Sequence, residues 1–140
     1  MTSPTPPSPE VAYDTAPPLH LEADELMRLR RLIPEREWLL RRAALGDRQT
    51  LTADLNDGKA QTGALRPIHK LIAFDIEHST TAGPIDPEDN QWTAFPRGYV
   101  RQEYRAWQDQ QMEQEAEDRA HIFPHRGPDG DLYDGDGRAI

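Results

Sequence analysis

"PEREWLLRRAALGD", residues 34–47, decides the fold, because it reads as a helix from its first residue. Proline fixes φ at a value suited to a first helical position, and Glu35 places an acid at the positive end of the helix dipole. Trp38, Leu39 and Leu45 then supply a buried side, and Gly46 has the character of a helix stop. The sequence predicts a helix from about 34 to 45.

The same periodicity extends outward in both directions. Upstream, Leu26, Leu29 and Ile33 fall at three-and-four spacing, and Asp24 stands one turn before Arg28, which predicts a helix of about a dozen residues beginning at Leu19. Downstream, "RPIHKLIAFDIEHSTTAGP" places Pro67 at a first helical position and Ile68, Leu71, Ile72 and Ile76 on one face. A third helix from about 67 to 79 follows. The stretch between, residues 49–65, alternates Leu51, Ala53 and Leu55 before Asn56-Asp57-Gly58, and suits either a small hairpin or a short helix and loop.

Past residue 80, Asp86-Pro87-Glu88-Asp89 has the composition of a helix start and leads into a short turn carrying Trp92. Pro96 should break or kink that turn, after which a longer helix runs from about 98 to 120. Its stripe of Val100, Tyr104 and Trp107 drifts to Met112, Ala116 and Ala120 beside Glu113, Glu115, Glu117 and Asp118. The first half can dock on a core, leaving the second for solvent or a basic partner.

The fold class expected is mainly α: a small helical core of about three short helices plus a longer C-terminal helix. The sequence divides into a Pro-rich extended arm (1–18), the helical core (19–80), a Pro-containing linker with a short helical turn (81–96), an amphipathic acidic helix (97–121) and a turn-rich tail (122–140). The arm holds six prolines and suits a polyproline-like extension.

Composition narrows the functional classes. Hydrophobic residues make up 36% of the 140, charged residues 29%, and thirteen are proline, so the core must be small. The net charge is −9, all of it in the second half: residues 1–70 carry ten acidic and ten basic side chains, residues 71–140 fifteen and six. That balance argues against a general nucleic-acid coat, which needs a basic surface to release counterions. The absence of cysteine removes disulfides, thiolate zinc sites and cysteine nucleophiles. With no secretory signal pattern and no apolar run long enough to span a bilayer, a soluble, non-secreted, cytoplasmic protein is expected.

No catalytic, cofactor or metal set emerges. Gly-rich phosphate loops, nucleophile elbows and zinc helices are missing from the sequence. His121 and His125 are four apart but separated by Pro124, and Asp75 with His78 would need a further ligand from elsewhere. In the tail, Asp129, Asp131, Asp134 and Asp136 fit neither frame of a calcium loop, which leaves at most a weak divalent site. Tyr133-Asp134-Gly135-Asp136-Gly137-Arg138 resembles the Tyr-Asp-x-x-Gly-Arg core of YD repeats in large β-shell proteins. The match occurs once, whereas those proteins stack many copies, so it carries no function across. The tail reads as two turns.

The function expected is therefore non-enzymatic: a protein–protein interaction or assembly subunit, adaptor-like, with a viral head or tail as one fitting context. Trp92, Phe95, Tyr99, Tyr104, Trp107, Leu132 and Tyr133 are the candidate partner-binding residues, and other protein subunits, including further copies of the chain, the expected partners. The alternative is a small helix-turn-helix-like DNA-binding regulator using Arg28, Arg30, Arg31, Arg36, Arg41, Arg42 and Arg48 of the first two helices. Pairing of Arg28 with Asp24, Arg41 with Glu37 and Arg31 with Glu35 is expected to neutralise much of that cluster.

Overall fold

The structure, a computed structural model, describes residues 5–52 and 58–122, with side chains described outside 58–61 and 121–122. Among the described residues six helices follow in order: α1 (Pro9–Ala12), α2 (Leu19–Leu29), α3 (Glu35–Thr52), α4 (Gly58–His78), α5 (Gln91–Ala94) and α6 (Pro96–Ile122). The fold is mainly α, and no strand occurs among the described residues. No helix is long and apolar enough to cross a membrane among those residues. The chain forms two compact units, Met1–Trp107 and Gln108–Ile140.

Within the first unit, α3 packs most closely on α4 and then on α2. Small side chains permit the α3–α4 approach: Ala43, Ala44 and Gly46 are buried on α3, and Ala64 on α4. Gly46 does not end its helix as expected from sequence. It lies inside α3 against the Cα of Ala64, and the helix continues to Thr52. Close packing against α4 outweighs the conformational freedom that makes glycine a helix stop.

Pro67 likewise lies inside α4 rather than at its start. The helix begins nine residues earlier, at Gly58, so one arm of residues 49–65 is the end of α3 and the other the start of α4. Residues 53–57 lie outside the described ones. The buried face of α4 is Ala64, Ile68, Leu71 and Asp75, a rotation from the expected one that leaves Ile72 half-buried and Ile76 exposed.

Ser79 closes α4. Its φ of 54° lies in the left-handed region, and the Thr80 N–H donates to the Asp75 carbonyl at 3.3 Å, the 6→1 bond of a Schellman ending with serine in the place usually held by glycine. The chain then returns across the core. Ile85 and Trp92 are buried, and Trp92 Nε1 donates to the Asp86 carbonyl at 2.8 Å. Asp89, not Asp86, sits before the helical turn α5, accepting from the Gln91 N–H at 3.0 Å. Pro96 follows the end of that turn, with Phe95 before it at φ −142° and ψ 69°, and itself starts α6.

The N-terminal segment is not simply extended. Ser8 accepts from the Val11 N–H at 3.3 Å and caps the short turn α1, after which the Tyr13 ring meets Tyr104 edge-on, 5.3 Å between centroids. Gly98 makes room at the start of α6: a Cβ there would stand 2.8 Å from Pro6 Cγ and 2.8 Å from the Trp92 ring. Arg48 donates to the Pro17 carbonyl and Arg105 to that of Val11. Residues from Pro6 to Pro17 are thus bound to α3 and α6.

In the second unit, Asp109–Ala120 of α6 are exposed, and Gln114 Nε2 donates to Asp118 at 3.2 Å.

Candidate partner-binding groove

Charged side chains in the first unit divide into those sealed in the interior and those left unspent at the surface. Asp47, Asp75 and Glu103 have no solvent exposure. An unpaired ion there would be prohibitively costly, so each is met by arginine. Arg101 of α6 forks onto Asp47 of α3 at 2.8 and 3.1 Å, with the Tyr13 hydroxyl donating to the same carboxylate at 2.6 Å. Arg36 of α3 forks onto Asp75 of α4 at 2.7 and 2.8 Å and reaches Glu103 of α6 at 2.6 Å.

Glu103 also accepts the backbone N–H groups of Ala82 and Gly83, at 2.7 and 2.8 Å. Asp75 accepts from Thr80 at 2.7 Å and Tyr99 at 2.5 Å. Burial by itself would raise the Asp75 pKa, but hydrogen bonds from Arg36, Tyr99 and Thr80 prevail and hold it below the ordinary carboxylate range. Burial raises the Tyr99 and Tyr13 phenols, and the neighbouring Asp75 and Asp47 raise them further, so both remain protonated donors. Such fully matched pairs fasten helices together. A catalytic acid pair requires the opposite, one carboxyl left poised to carry a proton.

A third pairing joins α2 to α3. Arg41 donates to Glu22 at 3.0 and 2.9 Å, to Glu25, and to Glu37 at 3.4 Å. The expected Arg41–Glu37 contact is therefore present. The other two are not: among the described residues, neither Arg28 with Asp24 nor Arg31 with Glu35 forms an ion pair.

The unspent cations surround a groove of ≈ 980 Å³ between the end of α2, α3 and α4. Arg30 and Arg31 approach from the turn after α2, Arg42 from α3, and Arg66 and Lys70 from α4, against only Glu35 and Glu77. None of the five is in an ion pair with a described residue. Arg42 Nη1 is buried with no hydrogen-bond partner, a donor held out of water and left over.

The groove floor is apolar, formed by Trp38, Leu39, Pro67 and Phe74. Trp38 is fixed from both sides: its Nε1 donates to the Leu26 carbonyl at 2.9 Å, and the Arg30 guanidinium lies over its ring at 5.0 Å. Phe74 stacks on His78, 4.0 Å between centroids. Cations around aromatic groups offer the chemistry that an anionic, partly apolar ligand would need.

The residues singled out from sequence are placed elsewhere. Trp92, Tyr99 and Tyr104 belong to the protein's own core, with relative exposures of 4%, 0% and 1%. Trp107 is half-buried against that core, and Phe95 is exposed, with Arg101 over its ring at 5.3 Å. Leu132 and Tyr133 lie outside the described residues, as do the tail aspartates. His78 bonds the Phe74 carbonyl at 3.0 Å and serves the end of α4. Among the described residues no group of three or more His, Asp or Glu side chains is placed to hold a metal ion.

The arginine cluster read from sequence separates three ways. Arg36 and Arg41 enter the interior pairings, Arg48 bonds the N-terminal segment, and Arg30, Arg31 and Arg42 face the groove, while Arg28 is exposed on α2 outside all three. Arg66 and Lys70 join them because positions 63, 66, 70, 73 and 77 share one face of α4. No protein-family model matches the chain, and no curated protein or solved structure does either.

Proposed function

We propose that the protein is a non-enzymatic interaction module that receives an acidic, partly apolar segment of a protein partner in the groove between α3 and α4. The observation that carries this reading is the coincidence of five cations that form no ion pair with a described residue, including the leftover Arg42 Nη1, with the Trp38–Phe74 floor. Glu35 and Glu77 at the same groove oppose an unbroken run of phosphates, whereas they suit a segment of mixed charge.

Absence of the expected Arg28 and Arg31 pairings favours a second reading, a DNA-binding regulator, because it leaves more positive charge at the end of α2. Calorimetric titration of the full chain separates the two. A glutamate-rich helical peptide should bind at low salt, and R66E/K70E should abolish that binding. A silent peptide, with duplex DNA binding that weakens steeply as salt rises, would replace the first reading by the second.

A further inference from the structure

We infer that the occupant of the groove is the acidic segment Gln108–Ile122 of a second copy of this chain. This rests on the acidic-partner reading above and names the partner. The groove carries five cations and two carboxylates, a net charge of +3, while Gln108–Ile122 carries Asp109, Glu113, Glu115, Glu117, Asp118 and Arg119, net −4.

Pattern and length agree as well as charge. Met112, Ala116 and Ala120 recur every four residues and share one face of α6, with Glu113 and Glu117 one position behind the first two. Small residues along that face allow a close approach to the Trp38–Phe74 floor, and Met112, 55% exposed, can fill an irregular gap there. The flanking glutamates then fall beside Arg66 and Lys70, both exposed. The groove follows α4 from Gly63 to Glu77, about 21 Å at the helical rise, and Asp109–Ala120 spans about 17 Å. Arg119 gives Glu35 or Glu77 a partner, which a nucleic-acid backbone does not. At physiological salt the Debye length is about 8 Å, so the repulsion between two chains of charge −9 is screened while contacts inside the groove are kept.

Such a contact joins two different surfaces, so the association closes into a ring or continues as a chain. Multi-angle light scattering of the full chain after size exclusion tests it, with salt raised from about 50 to about 500 mM. The mass should grow with protein concentration at low salt and return to that of the monomer at high salt. R66E/K70E and E113K/E117K all alter exposed positions, and circular dichroism melts would verify that the fold is kept.

Each double variant alone should be monomeric. Mixed together, they should recover association, because the unaltered groove of one variant then meets the unaltered helix of the other, and the acids at 66 and 70 meet the lysines at 113 and 117. Monodisperse wild-type monomer at low salt overturns the inference, as does self-association that survives both reversals. A chain that binds the glutamate-rich peptide yet stays monomeric removes the second-copy assignment and leaves the acidic-partner reading standing. A chain that self-associates through these residues but does not bind the unrelated peptide supports the inference and restricts the groove to its own helix.

Discussion

Asp75 and Glu103, on different helices and both without solvent exposure, share one guanidinium, that of Arg36, at 2.7 and 2.6 Å. Three helices are thereby fastened at one point, since Arg36 belongs to α3, Asp75 to α4 and Glu103 to α6. R36M would keep most of the volume and strip two buried carboxylates of their cation. The expected cost is about 3–5 kcal/mol, the usual penalty for leaving a buried charge uncompensated. Urea unfolding at neutral pH measures it, and a midpoint close to wild type would show that water replaces the guanidinium.

The same cluster sets a dependence on pH. Asp75 has its folded pKa held below the ordinary carboxylate value, mainly because hydrogen bonds from Arg36, Tyr99 and Thr80 overcome the effect of burial. A carboxyl depressed in the folded state contributes stability above its unfolded pKa of about 3.9 and loses that contribution as pH falls through the folded value. Wild type should hold its urea midpoint from neutrality to about pH 5 and decline below about pH 4. In R36M burial is less opposed, so the folded pKa of Asp75 rises and the midpoint lost on acidification should be smaller than in wild type. Parallel midpoints for the two proteins across the acid range would contradict this.

Tyr13 tests the anchoring of the N-terminal segment. Its hydroxyl donates at 2.6 Å to Asp47, which also receives Arg101. Y13F keeps the edge-on contact with Tyr104 and removes only the hydrogen bond, so about 1.5–3 kcal/mol should be lost, the range for a bond to an ionised group. Amide exchange should quicken most in residues 9–16, where the Ala12, Tyr13 and Ala16 N–H groups are bonded within the segment. Exchange rising equally everywhere would place Tyr13 in the global core instead.

Helix identity was legible in the sequence wherever apolar spacing was unbroken, as in Leu26, Leu45, Ile68, Leu71, Val100 and Tyr104. Helix ends were not, because Gly46 and Pro67 are local stop and start signals that packing between α3 and α4 overrides. Asp47, Asp75 and Glu103 were missed for a related reason. Each interrupts an apolar stripe: Leu40, Ala43, Ala44, then Asp47; Ile68, Leu71, then Asp75; Tyr99, Val100, then Glu103. A carboxylate where the period demands an apolar residue was the available signal, and only a partner distant in sequence makes it tolerable. The groove was illegible for the complementary reason: pairing judged at i,i+4 predicts neutralised arginines, whereas long-range geometry spends Arg36 and Arg41 inside and leaves Arg30, Arg31 and Arg42 over.

Ser79 carries strain that a single substitution can relieve. Left-handed φ is costly for a residue with a Cβ and free of that cost for glycine. S79G should raise stability by up to about 1 kcal/mol, reduced by the added entropy of the unfolded chain. The Thr80 bonds to Asp75 depend on the turn and not on the serine side chain, so they are kept. A thermal melt shifted downward would mean that Ser79 makes its own contribution to closing α4.

Gly46 and Gly98 are expected to respond to alanine with opposite signs. Both lie in helices, where glycine costs about 0.5–1 kcal/mol relative to alanine. At Gly46 an added Cβ would meet Arg42 Nη1 at 3.4 Å and the Ala64 Cα and Cβ at 3.7 and 3.8 Å, ordinary contacts that improve packing between α3 and α4. G46A should therefore raise stability by up to about 1 kcal/mol. At Gly98 the new carbon would lie 2.8 Å from Pro6 and Trp92 and 2.9 Å from Phe95, so one of these groups must move. G98A should cost about 1–3 kcal/mol, the usual range for overpacking, and speed amide exchange at the residues around Pro6. Thermal melts of the two variants settle the comparison. Equal and small effects at both positions would mean that the N-terminal segment yields to the methyl group without loss, and that Pro6 contributes nothing to holding it on α6.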